Sequence, residues 1–261
     1  MIQLSLKILD KDGNIKAENK ECNEVRLVFK EEYKEGDRIQ IETSNKEIYL
    51  VAEIDDAMGE SLIYVTENLI TYEIPFGEKK VSYSPKVFYG EKHLLSVRIA
   101  RKEEVECYRN LALNKMDQQG LIGVYPHASA NVETRGEAVF AARNAINGNC
   151  ENHDHGKWPY ESWGIGMRDD ACLKIDFGRE IITDKIILYT RSDFPHDNWW
   201  VKVTFRFSDN SELTCDLEKS HKAHIIEFPE KKISWLTFSD LIKADDPSPF
   251  PALSQIQVFG K

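Results

Sequence analysis

Ten consecutive residues, Arg191-Ser192-Asp193-Phe194-Pro195-His196-Asp197-Asn198-Trp199-Trp200, bring two tryptophans, a histidine and three charges together. Recognition of a sugar uses this mixture: an aromatic face takes the C–H side of the ring, and charged donors and acceptors take its hydroxyls. Arg191 is the natural central donor, because a guanidinium presents five N–H groups in a rigid fork. Asp193 would orient that fork, and His196 would add a hydrogen bond at the rim. Trp199 or Trp200 would supply the stacking face, one pointing outward and the other into the core. The alternative makes Arg191 and Asp193 a purely structural ion pair.

A second run, His153-Asp154-His155-Gly156-Lys157-Trp158-Pro159-Tyr160-Glu161-Ser162-Trp163, offers further material. His155, Trp158 and Trp163 suit a polar and stacking rim of the same site, or plugs for the end of a sandwich. Arg168 and Asp169 either extend the rim or pair with each other. His153, Asp154 and His155 lack a spaced third ligand, which argues against zinc. Carboxylate neighbours such as Asp193 with Asp197, or Asp169 with Asp170, arise from adjacency alone. No nucleophile elbow, phosphate loop or zinc-hydrolase spacing is present, so the chain reads as a binding protein and not an enzyme.

Short alternating segments must position these loops: Gln3–Leu9, Glu24–Phe29, Arg38–Thr43, Glu47–Glu53 and Val97–Ala100 in the first half. Cys172–Phe177, Lys185–Tyr189, Val201–Phe207, Glu212–Asp216, Ala223–Phe228, Ile233–Phe238 and Ser254–Phe259 continue the pattern. Strands at such spacing, broken by turns like Asp12-Gly13-Asn14 and Ser208-Asp209-Asn210-Ser211, predict an all-β chain of two β-sandwich domains. Leu173, Ile175 and Phe177 alternate with Lys174 and Asp176, as a half-buried strand requires, and Val201, Val203, Phe205 and Phe207 repeat the pattern. The charged stretch 101–110 lacks a clean period and reads as the linker, dividing the chain into 1–105 and 106–261. Between 111 and 170 only Glu137–Ala145 suits a short helix.

At 261 residues two domains are the natural expectation. The formal charge of −10 is shared evenly between the halves, which leaves no basic footprint for nucleic acid or an anionic membrane surface. No apolar run approaches the length needed to span a bilayer. Cys22, Cys107, Cys150, Cys172 and Cys215 are scattered singly, as reduced thiols of a cytoplasmic protein would be; a removed export signal would instead place it outside the cell. Nothing in the sequence sets an oligomeric state.

The second half resembles the discoidin family, also called coagulation-factor C-type domains, which includes carbohydrate-binding modules and fucose-binding lectins. Four segments carry the resemblance in the family's order: Asn110–Asn114, Asn144-Ala145-Ile146-Asn147-Gly148-Asn149, Leu173–Gly178 and Ser254–Gly260. It implies a galactose-binding-like jelly roll over about residues 106–261, with a sugar held by loops at one end. It also implies that Arg191 and Asp193 match the R-x-D segment that helps hold fucose in the lectins. The basic residue expected five positions after the aspartate is Asn198, and the histidine expected 27 positions before the arginine is Gly164, so fucose specificity is not carried over. Calcium is a further implication, at Asn144, Asn147, Asn149 and Gln255. Asn147 and Gln255 replace carboxylates there, and affinity for calcium depends on anionic oxygens, so the expected site is weak or vestigial. The ligand expected is thus a carbohydrate; a protein partner is the runner-up, and a small sugar hydrolase a third reading.

Overall fold

The computed structural model describes residues 1–192 and 197–261. Eight strands come from the first hundred residues: β1 (Gln3–Leu9), β2 (Ile15–Cys22), β3 (Glu24–Phe29), β4 (Arg38–Thr43), β5 (Ile48–Glu53), β6 (Ser61–Val65), β7 (Leu69–Glu73) and β8 (His93–Ile99). Then follow β9 (Arg109–Asn110), β10 (Val124–Tyr125), β11 (His127–Ala130), β12 (Trp163–Gly164), β13 (Leu173–Thr190), β14 (Trp200–Phe207), β15 (Glu212–Asp216), β16 (His224–Lys243) and β17 (Ala252–Gly260). The chain is all-β, as its alternation predicts. All five cysteines are free. Among the described residues, no helix is long and apolar enough to cross a membrane.

The N-terminal sandwich packs a four-stranded sheet, β2-β1-β4-β7, on a five-stranded one, β10-β6-β5-β8-β3. Alternation explains the fit: Leu4, Leu6, Ile8, Ile39 and Ile41 from one sheet meet Leu50, Ile63, Val65, Leu95 and Val97 from the other. Met116, Leu121 and Val124 also belong to this core, and β10 extends its sheet by pairing Val124 with Val65. The charged stretch expected as an open linker is folded. Lys102–Glu106 forms a single helical turn, α1, whose Glu104 carboxylate accepts from the Arg101 backbone N–H at 2.7 Å and pairs with Arg98 at 2.7 Å. The expected helix over Glu137–Ala145 is instead a series of 3-10 turns, at Thr134–Gly136, Ala138–Phe140 and Ala142–Ile146.

The C-terminal jelly roll is an eight-stranded antiparallel sheet ordered β12-β17-β13-β16-β14-β15, with β11 paired to β13 and β9 to β17. β13 and β16 are long enough to pass from one layer of the sandwich into the other. Their pairing breaks between Asp176 and Ile181, where the strands turn the corner. Gly178 stands in that break at φ +65°, and a Cβ there would lie 2.3 Å from the Tyr125 ring. Each expected strand pair, Cys172–Phe177 with Lys185–Tyr189 and Ala223–Phe228 with Ile233–Phe238, is therefore one bent strand. The core holds Leu173, Ile175, Phe177, Phe205, Leu236 and Phe238.

Candidate functional site

Strand polarity gathers the loops at one end of this sandwich. β13 ends there at Thr190, β14 begins at Trp200, and β16 and β17 begin at His224 and Ala252. Specific hydrogen bonds tie the loops together. Asn152 Nδ2 donates to the Thr190 carbonyl at 3.3 Å and to the His221 carbonyl at 2.9 Å. Thr190 Oγ1 donates to the Ser220 carbonyl at 3.2 Å. Asn198 Nδ2 donates to the Ala244 and Ser248 carbonyls at 3.2 and 2.8 Å, and the Ala244 N–H returns a bond to the Trp199 carbonyl at 2.9 Å. Segments 149–155, 197–199, 218–222 and 244–250 thus share one surface.

Beneath that surface lies an ion pair. Arg191, only 3% exposed, donates from Nη2 to Asp197 Oδ1 at 2.9 Å and from Nη1 to Ser162 Oγ at 3.3 Å. Burial depresses the guanidinium pKa below its ordinary value, against the pull of Asp197 and, more distantly, Asp154. Arg191 is expected to reach a ligand as its central donor; the structure buries it, paired with Asp197. The other two members expected in this loop, Asp193 and His196, lie outside the described residues.

The tryptophans separate by burial. Trp200 and Trp163 are completely buried, set edge-on to the same Phe238 ring at 5.5 and 6.2 Å. Trp163 also donates from Nε1 to the Val132 carbonyl at 2.9 Å. As candidate ligand contacts both are ruled out by burial: Trp163 takes the alternative role of a plug, and Trp200 is the one of the pair that points into the core. Register explains Trp200: β14 shifts against β16 between Trp200 and Lys202, so Trp200 takes the inward place and Val201, expected there, is half-buried. Trp199 is half-buried, with the Lys219 ammonium 4.6 Å from its ring centroid. Trp158 is 39% exposed, but its backbone N–H is bonded to the Val81 carbonyl of the N-terminal sandwich at 2.9 Å, away from the gathered loops.

His155 is exposed, its Nδ1 3.6 Å from Asp154 Oδ1. His153 is bonded to Glu151, and its ring lies 5.6 Å from that of His221. His221 and Lys219 are members of this surface that sequence reasoning missed. They sit in the plain connection between two alternating strands, and their mixture of imidazole and ammonium is the only local signal. Arg168 and Asp169 do not pair with each other: Arg168 binds Asp170 at 2.7 Å, and Asp169 lies 3.0 Å from Lys243.

The residues expected around calcium satisfy one another instead. Gln255 Oε1 accepts from the Gly148 N–H at 2.7 Å, which directs its Nε2 donor onto the Ala145 carbonyl. Asn144 Nδ2 donates to the Ala138 and Ser162 carbonyls at 2.9 and 3.1 Å. Asn147, at 2.8 Å, and Asn149 both donate to Glu161 Oε1. N–H donors of Asn144, Asn147, Asn149 and Gln255 thus point where a cation would need oxygen, which disfavours calcium. The buried Glu161 Oε2 is left without a hydrogen-bond partner among the described residues, as the one uncommitted anionic oxygen of the cluster. Burial raises the Glu161 carboxyl pKa, partly offset by the two asparagine bonds. EDTA should accordingly leave the melting temperature unchanged; a fall of several degrees, reversed by calcium, would refute the internal closure.

No protein-family model matches the chain, and a comparison with curated proteins found no match. Some solved structures are similar to it. Chitosan-binding module 1, derived from a chitosanase/glucanase of Paenibacillus sp. IK-5, is 16% identical with a TM-score of 0.41, over 58% of this chain and 98% of that one. A family 32 CBM from C. perfringens, in complex with galactose, is 16% identical with a TM-score of 0.39, over 51% of this chain and 91% of that one. A Streptococcus pneumoniae fucose binding module is 17% identical with a TM-score of 0.40, over 58% and 98%.

Proposed function

We propose that this chain is a non-catalytic carbohydrate-binding protein that takes a sugar on the gathered end loops of its C-terminal sandwich. One observation carries the reading: segments 149–155, 197–199, 218–222 and 244–250, far apart in sequence, converge with an aromatic, imidazoles, an ammonium and carboxylates on one surface. Trp199 is the stacking face, and a sugar ring would take the place of the Lys219 ammonium over it, leaving Lys219 to bind a hydroxyl. His155, and the neighbouring His153 and His221 rings 5.6 Å apart, supply single hydrogen bonds at the rim. Arg191 and Asp197 hold the loop from below. Asp197 is committed to that pair, so it is not one of two free carboxylates flanking a glycosidic bond. The division of the chain at residue 105 belongs to the same proposal, with the sugar site wholly in 106–261, although Met116, Leu121 and Val124 beyond that point pack into the N-terminal core.

A thermal-shift screen against monosaccharides and short oligosaccharides tests it, since a ligand of the folded state raises the melting temperature by mass action. At least one sugar should give a saturable rise. His155→Ala should weaken that sugar about tenfold or less, the loss of roughly one hydrogen bond. A flat response to every sugar would count against the proposal.

A further inference from the structure

One cavity lined by described residues lies away from the gathered loops. It measures about 430 Å³ and opens at the opposite end of the C-terminal sandwich, where β13 and β16 turn the corner. Strand register fixes this placement: β14 begins opposite Lys243 among the gathered loops and ends at Phe207 opposite Leu236, next to the cavity. Its lining includes Trp235, Ser208, Asp209, Ser234, Glu180 and Lys232.

The chemistry of that lining is specific. Trp235 is half-buried on β16, so part of its indole is available to the cavity. Ser208 Oγ accepts the Ser234 backbone N–H at 2.7 Å, and so keeps its own proton to donate. Lys232 is held by Glu180 at 2.5 Å, and Lys231 is shared between Ser211 Oγ at 2.9 Å and Asp209 at 3.9 Å. Each of these cations is already matched to an oxygen partner. A phosphate or a uronic carboxylate would find no uncommitted positive charge here. A neutral ligand with several hydroxyls would share hydrogen bonds with the Glu180–Lys232 pair and with Asp209, which already accepts from the Ser211 N–H at 2.9 Å. It would take a donor from Ser208 and rest on Trp235, whose ring has the Lys174 ammonium 5.7 Å from its centroid. A cavity of this size is in the range of small-molecule sites.

We propose that the Trp235 cavity is a second ligand site, for a neutral sugar, separate from the end-loop site. Two sites at opposite ends of one sandwich would let a single chain engage two sugars at once, and linked contacts of that kind raise avidity without any new interface. The proposal stands on the cavity and its lining, not on the end-loop reading.

Labelling the five tryptophans with 5-fluorotryptophan gives each its own ¹⁹F resonance, assigned by single Trp→Phe variants. The titrants are galactose, glucose, mannose, fucose and N-acetylglucosamine. At least one should move the Trp235 resonance along a saturable curve. Asp209→Asn combined with Lys232→Ala, on partly or fully exposed side chains, should weaken that response several-fold and leave any Trp199 response unchanged. A Trp235 resonance unmoved by all five sugars, or a response indifferent to the double variant, overturns the second site. Movement of Trp199 alone overturns only this proposal, movement of Trp235 alone overturns only the end-loop reading, and movement of neither overturns both.

Discussion

Arg191→Ala should lower the melting temperature by roughly 10 °C or more, and Asp197→Ala should do the same. Each substitution strands its partner as a buried charge, at a cost of about 3–5 kcal/mol. For a folding unit of about 150–250 residues, each kcal/mol is worth about 2–4 °C. The pair sits at 3% exposure on both sides, so solvent cannot take over the lost partner. Replacing both together by Met and Leu should recover much of the loss, since removing a buried pair as a unit is far cheaper than breaking it. Calorimetry on the three variants decides the matter. If Arg191→Ala melted with the wild type, the arginine would be free of a structural duty and open to a ligand.

Trp200→Ala should be comparably severe. Trp200 is completely buried against Phe238, and truncating a buried tryptophan costs about 3–5 kcal/mol through lost transfer energy and the cavity left behind. Its Nε1–H has no hydrogen-bond partner among the described residues, so Trp200→Phe sacrifices only packing and should cost markedly less than alanine. Urea unfolding separates the two, and the neighbouring Trp199→Ala should fall well inside both. Near-equal stabilities for Trp199→Ala and Trp200→Ala would mean that the bulge at the start of β14 does not sort the two indoles as described.

How much of this was legible follows from where side-chain alternation survives. β3 and β4 alternate cleanly in burial, while β1 and β14 alternate in sequence, and all four are readable as strands. β2 is not: Ile15–Cys22 is exposed or half-buried along its whole length, so no apolar period marks it. β13 reads in sequence as two strands, Cys172–Phe177 and Lys185–Tyr189, whereas Gly178-Arg179-Glu180 between them is the bulged corner of one strand. Composition singles out residues 191–200 but does not assign directions to Arg191, Trp199 and Trp200 among them. Adjacency favours Asp193 as the partner of Arg191; among the described residues the guanidinium pairs with Asp197. A register shift of one residue put Trp200 inside and left Trp199 toward solvent. Lys219 and His221 reach the site only through the hydrogen bonds of Asn152 and Thr190, a tertiary relation that local spacing does not encode.

The most direct test of sugar binding at the gathered loops is a glycan-array profile of the wild-type protein beside Trp199→Ala. Trp199, the proposed stacking face, is only half-buried, so its removal should spare the fold. The wild type is expected to retain a defined set of glycans, and Trp199→Ala to lose them while melting close to the wild type. A wild type that retains no glycan, or a well-folded Trp199→Ala that retains the same set with equal strength, would contradict the account.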